Sequence, residues 1–113
     1  MTHKEIAQLV KCIGFPCTYH HWEKKDVPDL PYILFYEPSR NDFMADNTNY
    51  HRIVHLVIEL YSDNKDIKAE NKVETVLEQN SIPYTKEEVY ISSEQMYEVI
   101  YETEVDLDAS NKK

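Results

Sequence analysis

The sequence predicts an α+β domain: an antiparallel or mixed β-sheet with two α-helices packed on one face, in the order α-β-β-β-α-β-β. Three observations predict it. Residues 54–61 alternate with period two, placing Val54, Leu56, Ile58 and Leu60 opposite His55, Val57, Glu59 and Tyr61, as only a β-strand does. After the polar break Ser62-Asp63-Asn64-Lys65 the period turns helical. Ile67, Ala69, Val73, Val76 and Leu77 form an apolar stripe, with Lys68, Glu70, Lys72, Glu74 and Glu78 mostly outside it. From Met96 to Val105 the two-residue period returns, with Tyr97, Val99, Tyr101, Thr103 and Val105 set against Glu98, Ile100, Glu102 and Glu104. Strand and helix, each with one apolar side, bury those sides against each other as two layers.

The remaining elements follow in chain order. Thr2 followed by Glu5 is a capping-box pattern, and Ile6, Leu9, Val10 and Ile13 recur at helical spacing before Gly14 and Pro16 stop the helix. Cys17 to Trp22 is β-branched and aromatic and reads as a short strand, followed by a loop from Glu23 to Pro31. Tyr32 to Tyr36 is a continuous apolar run bounded by prolines, a strand near the centre of the sheet. Glu37 to Asn49 is rich in Pro, Ser, Asn and Asp and reads as a long loop, with Phe43 and Met44 either tucked into the core edge or serving as anchors for a partner. The flanking strands, 32–36 and 50–61, are expected to pair as a long-looped hairpin. Asp63 is placed to cap the second helix, with Asp66 adding negative charge to its first turn, and Asn80 to end it in the left-handed conformation. Tyr84 to Ile91 is a further strand. One domain is expected over residues 1–106, with 107–113 a flexible tail.

Composition narrows the chemistry. A single Gly leaves no material for a phosphate-cradling loop or a nucleophile elbow. The formal charge of −9 repels nucleic acid, so specific DNA binding is not expected. No run of about 18 apolar residues exists, so neither a spanning helix nor a membrane partner is expected. The amphipathic start argues against a secretory signal. Cys12 and Cys17 read as two reduced, buried thiols, with a disulfide between them as the alternative and a zinc site needing two more ligands.

Five His raise the question of a metal. His51 and His55, on one strand, would lie about 13 Å apart, and the adjacent His20 and His21 would face opposite sides. A composite site, His20 with His55 for instance, is the metal alternative. The acids of the last strand, Glu98, Glu102 and Glu104, alternate with apolar residues and read as solvated. No catalytic, cofactor-binding or metal-binding residue is therefore expected.

Several segments carry a family resemblance. I-E-L-Y-S-D from Ile58, K-V-E-T-V-L-E-Q-N from Lys72, I-P-Y from Ile82, M-Y-E-V-I-Y-E-T-E-V from Met96 and the opening K-E-I-A-Q-L-V-K-C-I-G-F-P-C-T-Y-H-H-W resemble small head–tail region proteins of long-tailed bacteriophages and prophages. The order of elements is similar to that of the tail terminator (tail completion, tail-to-head joining) family. The resemblance implies a non-enzymatic virion protein that forms a ring, typically a hexamer, at the head–tail junction and meets the tail tube and the head connector. It also implies assembly in the host cytoplasm from a subunit that is either monomeric or already a ring when isolated. DNA would pass nearby without being specifically bound. On that reading Arg40, Asp42, Phe43 and Met44 of the long loop are the candidate partner-binding residues, and Glu98, Glu102 and Glu104 the candidate channel-facing acids. The alternatives are a neighbouring connector adaptor or minor capsid protein, an acidic DNA-mimic inhibitor, and a small metallo-hydrolase using His20, His51 or His55.

Overall fold

A computed structural model describes residues 1–108, apart from the side chains of residues 49 and 50. Its elements are α1 (His3–Lys11), β1 (Cys17–Tyr19), β2 (Tyr32–Arg40), β3 (Phe43–Ala45), β4 (Thr48–His51), β5 (Ile53–Ser62), α2 (Ile67–Gln79), β6 (Thr85–Ile91) and β7 (Met96–Asp106). Five strands form one mixed sheet in the order β1-β2-β5-β7-β6, and β3 and β4 form a separate two-stranded ribbon. The chain is thus an α+β domain. β1 runs parallel to β2, and the other neighbours are antiparallel.

The long alternating segment lies at the centre because its alternation buries one whole face. Val54, Leu56, Ile58 and Leu60 of β5 share a single core with Ile33 and Phe35 of β2 and Val99, Tyr101 and Val105 of β7. Ile6, Leu9 and Val10 of α1 and Ala69, Val73 and Leu77 of α2 close that core, so both helices cover the same side of the sheet. Tyr32 pairs with Tyr61 in the β2–β5 ladder, joining the two strands across the long connection.

The first helix follows its sequence signals. The Thr2 side chain accepts from the Glu5 N–H, and the Glu5 carboxylate accepts from the Thr2 N–H. Gly14, at φ +103°, supplies the turn that ends this region. The second helix differs in three details. Asp66, not Asp63, is its cap, accepting from the Ala69 N–H at 3.0 Å. Ile67, the first residue of the helix, is exposed rather than part of the buried stripe, which begins at Ala69. Ser81 at φ +58°, not Asn80 at −99°, takes the left-handed position.

The stretch expected to be a long loop is largely β-structure. β2 runs on to Arg40, and β3 and β4 fold back on each other through Asp46-Asn47. The end of the chain also departs from expectation. Leu107 is buried in the core, and Asp108 is held by Arg52, so the ordered domain reaches at least Asp108. The rest of the expected tail, 109–113, lies outside the described residues.

Candidate functional site

Two surfaces stand apart from the core. The first is the β3–β4 ribbon. Asp46 and Asn47 both take positive φ, 53° and 63°, the pairing a two-residue hairpin turn demands and one that Asp and Asn tolerate. That dipeptide was the sequence signal for the ribbon, hidden in a stretch of loop-like composition. All three β3 residues are exposed, Phe43 at 57% and Met44 at 64%. Successive residues of a strand face opposite ways, so the ribbon shows apolar surface on both sides.

The four loop residues singled out in the sequence divide into two pairs. Phe43 and Met44 are presented outward. Arg40 and Asp42 bond at the root of the ribbon, with Arg40 Nη2 donating to Asp42 Oδ2 at 2.8 Å. Asp42 Oδ1 also accepts from the Ile53 N–H at 3.1 Å. Asp42 therefore holds the chain as it leaves and re-enters the main sheet.

The second surface is the sheet face turned away from the helices. Glu98, Glu102 and Glu104 all lie on it, because Val99, Tyr101, Thr103 and Val105 take the helix side. Glu102 and Glu104 are exposed, but Glu98 is half-buried, which corrects the expectation of three solvated acids. Its neighbour is Glu59, only 9% exposed and singled out by no sequence signal. The Tyr36 hydroxyl donates to Glu59 Oε2 at 2.6 Å and the Tyr61 hydroxyl to Glu59 Oε1 at 2.8 Å. Tyr61 also lies 3.1 Å from Glu98 Oε2. Burial, then the Glu59 charge, pushes the Glu98 carboxyl above its ordinary range. The Tyr61 hydroxyl is pushed up by burial and by its hydrogen bond to Glu59. At one end of this face an open groove of about 630 Å³ is lined by Ser39, His55, Tyr84, Thr85, Glu102 and Glu104, among others.

The histidines fall elsewhere than their spacing suggested. His51 and His55 are not on one strand, since Arg52 interrupts the ladder between β4 and β5. His51 pairs with Asp106 at 2.7 Å and His55 with Glu102 at 3.2 Å. His20 and His21 do not face opposite sides: β1 stops at Tyr19, His20 turns at φ +71°, and the two Nδ1 atoms lie 3.1 Å apart. Among the described residues no group of three or more His, Cys, Asp or Glu is arranged to hold a metal ion. Both cysteines are free thiols, but only Cys17 is partly buried, and burial raises its pKa. Cys12, expected to be buried, is exposed because it caps the end of α1 outside the apolar stripe.

On the helix side a charged cluster joins α2 to β6. Glu70, 2% exposed, meets Lys65 at 2.7 Å and Lys86 at 2.9 Å, and Lys86 also meets Glu74 at 2.7 Å. With Lys65 and Lys86 both against it, the buried Glu70 carboxylate is compensated by opposite charge. Comparison with known proteins adds no assignment to these surfaces: no family model matches the chain, and no curated protein matches it.

Proposed function

We propose that this chain is a structural subunit of a phage or prophage particle, a tail terminator or completion protein that forms a ring at the head–tail junction. The observation that supports it best is the presence of two unlike surfaces on one small domain, an apolar-tipped ribbon and an acidic sheet face. A ring closes through head-to-tail contacts and encloses a lumen, so a subunit needs a contact element for its neighbours and a face for the channel. The ribbon, with its own unpaired edges, suits strand addition to a neighbouring subunit or to the tail tube. Phe43 and Met44 are its anchors. Glu98, Glu102 and Glu104 face the channel, where carboxylates repel phosphates and let DNA pass without adhering. The family resemblance, carried by separate segments between Thr2 and Val105, supports the same reading. A neighbouring connector adaptor or minor capsid protein would use the same surfaces in the same way.

Imaging of particles made without the protein tests this. Over-long tails are expected of a missing terminator, and heads and normal-length tails that fail to unite are expected of a missing joining protein. Normal, infectious particles would rule out both.

A further inference from the structure

The ribbon is an extension of the β2–β5 pair beyond a break. The β2–β5 ladder stops at Arg40 and Val54 and resumes as β3–β4 at Phe43 and His51, with Asn41 and Asp42 on one side of the gap and Arg52 and Ile53 on the other. One backbone bond crosses the gap, from the Asn41 N–H to the Ile53 carbonyl at 2.8 Å. Asp42 adds its bond to the Ile53 N–H. A ribbon joined to a sheet in this way is free to change direction at the gap unless something holds it.

The last described turn of the chain supplies that hold, and nearly all of it falls on Arg52. The Leu107 N–H donates to the Arg52 carbonyl at 2.8 Å. The Arg52 N–H donates to Asp108 Oδ2 at 2.7 Å, and its guanidinium grips the same carboxylate in bidentate fashion, Nε at 2.9 Å and Nη2 at 2.7 Å. One residue earlier, His51 Nδ1 meets Asp106 Oδ2 at 2.7 Å. The turn is itself anchored, because Leu107 is buried and the Asp108 N–H bonds to Asp106 Oδ1 at 2.8 Å.

We propose that Asp106, Leu107 and Asp108 form a latch that fixes the direction in which the β3–β4 ribbon leaves the sheet. These bonds from the latch reach Arg52 in the gap and His51 at the end of β4. The ion pairs are partly exposed, and such pairs contribute little to global stability. Their consequence is orientation: with the latch closed Phe43 and Met44 are held in one place, and with it open they sweep an arc. The latch does not depend on the partner being part of a phage tail.

Spin labels on Thr48→Cys at the ribbon and Lys68→Cys on α2, in a background of Cys12→Ser and Cys17→Ser, read the ribbon's direction as a distance distribution. The parent is expected to give one narrow distribution. Asp108→Ala is expected to broaden and shift it with the melting temperature within about 3 °C of the parent. Asp108→Asn, which keeps an acceptor for the Arg52 N–H but loses the charge, is expected to fall between them. If Asp108→Ala does not fold, Arg52→Gln is read by the same criterion. An unchanged distribution in a folded latch variant, or a parent already as broad, overturns the proposal.

Discussion

The Tyr36 hydroxyl donates to Glu59 at 2.6 Å across the β2–β5 pair, on the sheet face that no helix covers. The second oxygen of Glu59 accepts from Tyr61, whose hydroxyl also contacts Glu98. A phenol has one proton to give, so Tyr61 cannot donate to both carboxylates. The remaining contact becomes a hydrogen bond only when Glu98 carries a proton of its own. The same geometry that shelters Glu59 therefore disfavours charge on Glu98, in line with its raised pKa.

A pH dependence follows. A carboxyl whose pKa is raised by folding contributes stability below its unfolded pKa and loses it as pH rises through the folded value. Between about pH 4.5 and neutrality the Glu98 contribution should thus fall. Glu98→Gln, a neutral group able to donate, should stabilise the protein at neutral pH by about 1 kcal/mol, the scale of one hydrogen bond. Urea unfolding across that range checks it, and an undiminished slope in the variant would contradict it.

Glu70 should behave in the opposite sense. Burial raises its pKa, but Lys65 and Lys86 outweigh burial and the net shift is downward. A depressed pKa gives stability that is present above the unfolded value and lost as pH falls through the folded one. Glu70→Gln should cost about 1–2 kcal/mol at neutral pH, near the lower end for a buried charged bond, since both lysines reach water. Chemical denaturation at pH 7 measures the cost, and the difference from the parent should shrink on acidification.

What was legible in the sequence was what a single period could encode. The alternation of β5 and β7 identified the buried face, because a strand slipped by one residue would expose Val54 through Leu60 together. The capping box of α1 was legible because Thr2 and Glu5 are three residues apart and bond to each other locally. Periodicity did not reveal the ribbon, since Phe43 and Met44 lie outside the core, and its local mark, Asp46-Asn47, sits in a stretch of loop-like composition. Nor did periodicity reveal the hold on Arg52, since its partner Asp108 is 56 residues distant and lies in a segment of tail-like composition. The Glu59–Glu98 contact was half visible: alternation placed both acids on the outer face, but only the β5–β7 register brings them close.

Tyr101 offers a test of the inner face. It is buried at the centre of the core, and its hydroxyl reaches Glu74 at 2.8 Å. Tyr101→Phe removes that bond and leaves the ring in place, for an expected loss of about 1 kcal/mol. Leu56→Ala, also in the core, removes packing instead and should cost about 3 kcal/mol. Thermal melts of the two variants should rank in that order.

Phe43 and Met44 should separate association from folding. Exposed as they are, replacing both with Ser should leave unfolding within about 0.5 kcal/mol of the parent, as surface changes do. An anchor is different: truncating an apolar side chain that fills a partner's pocket commonly costs about 2 kcal/mol or more of binding. The double variant Phe43→Ser/Met44→Ser should therefore fold normally yet fail to enter particles when supplied in place of the parent. Arg40→Ala is the contrasting case, since it loosens the ribbon's root through Asp42 while leaving both anchors intact, and it should weaken incorporation only partly. Normal incorporation of the double variant would remove the ribbon from the assembly contact and leave the acidic sheet face as the surface to probe next.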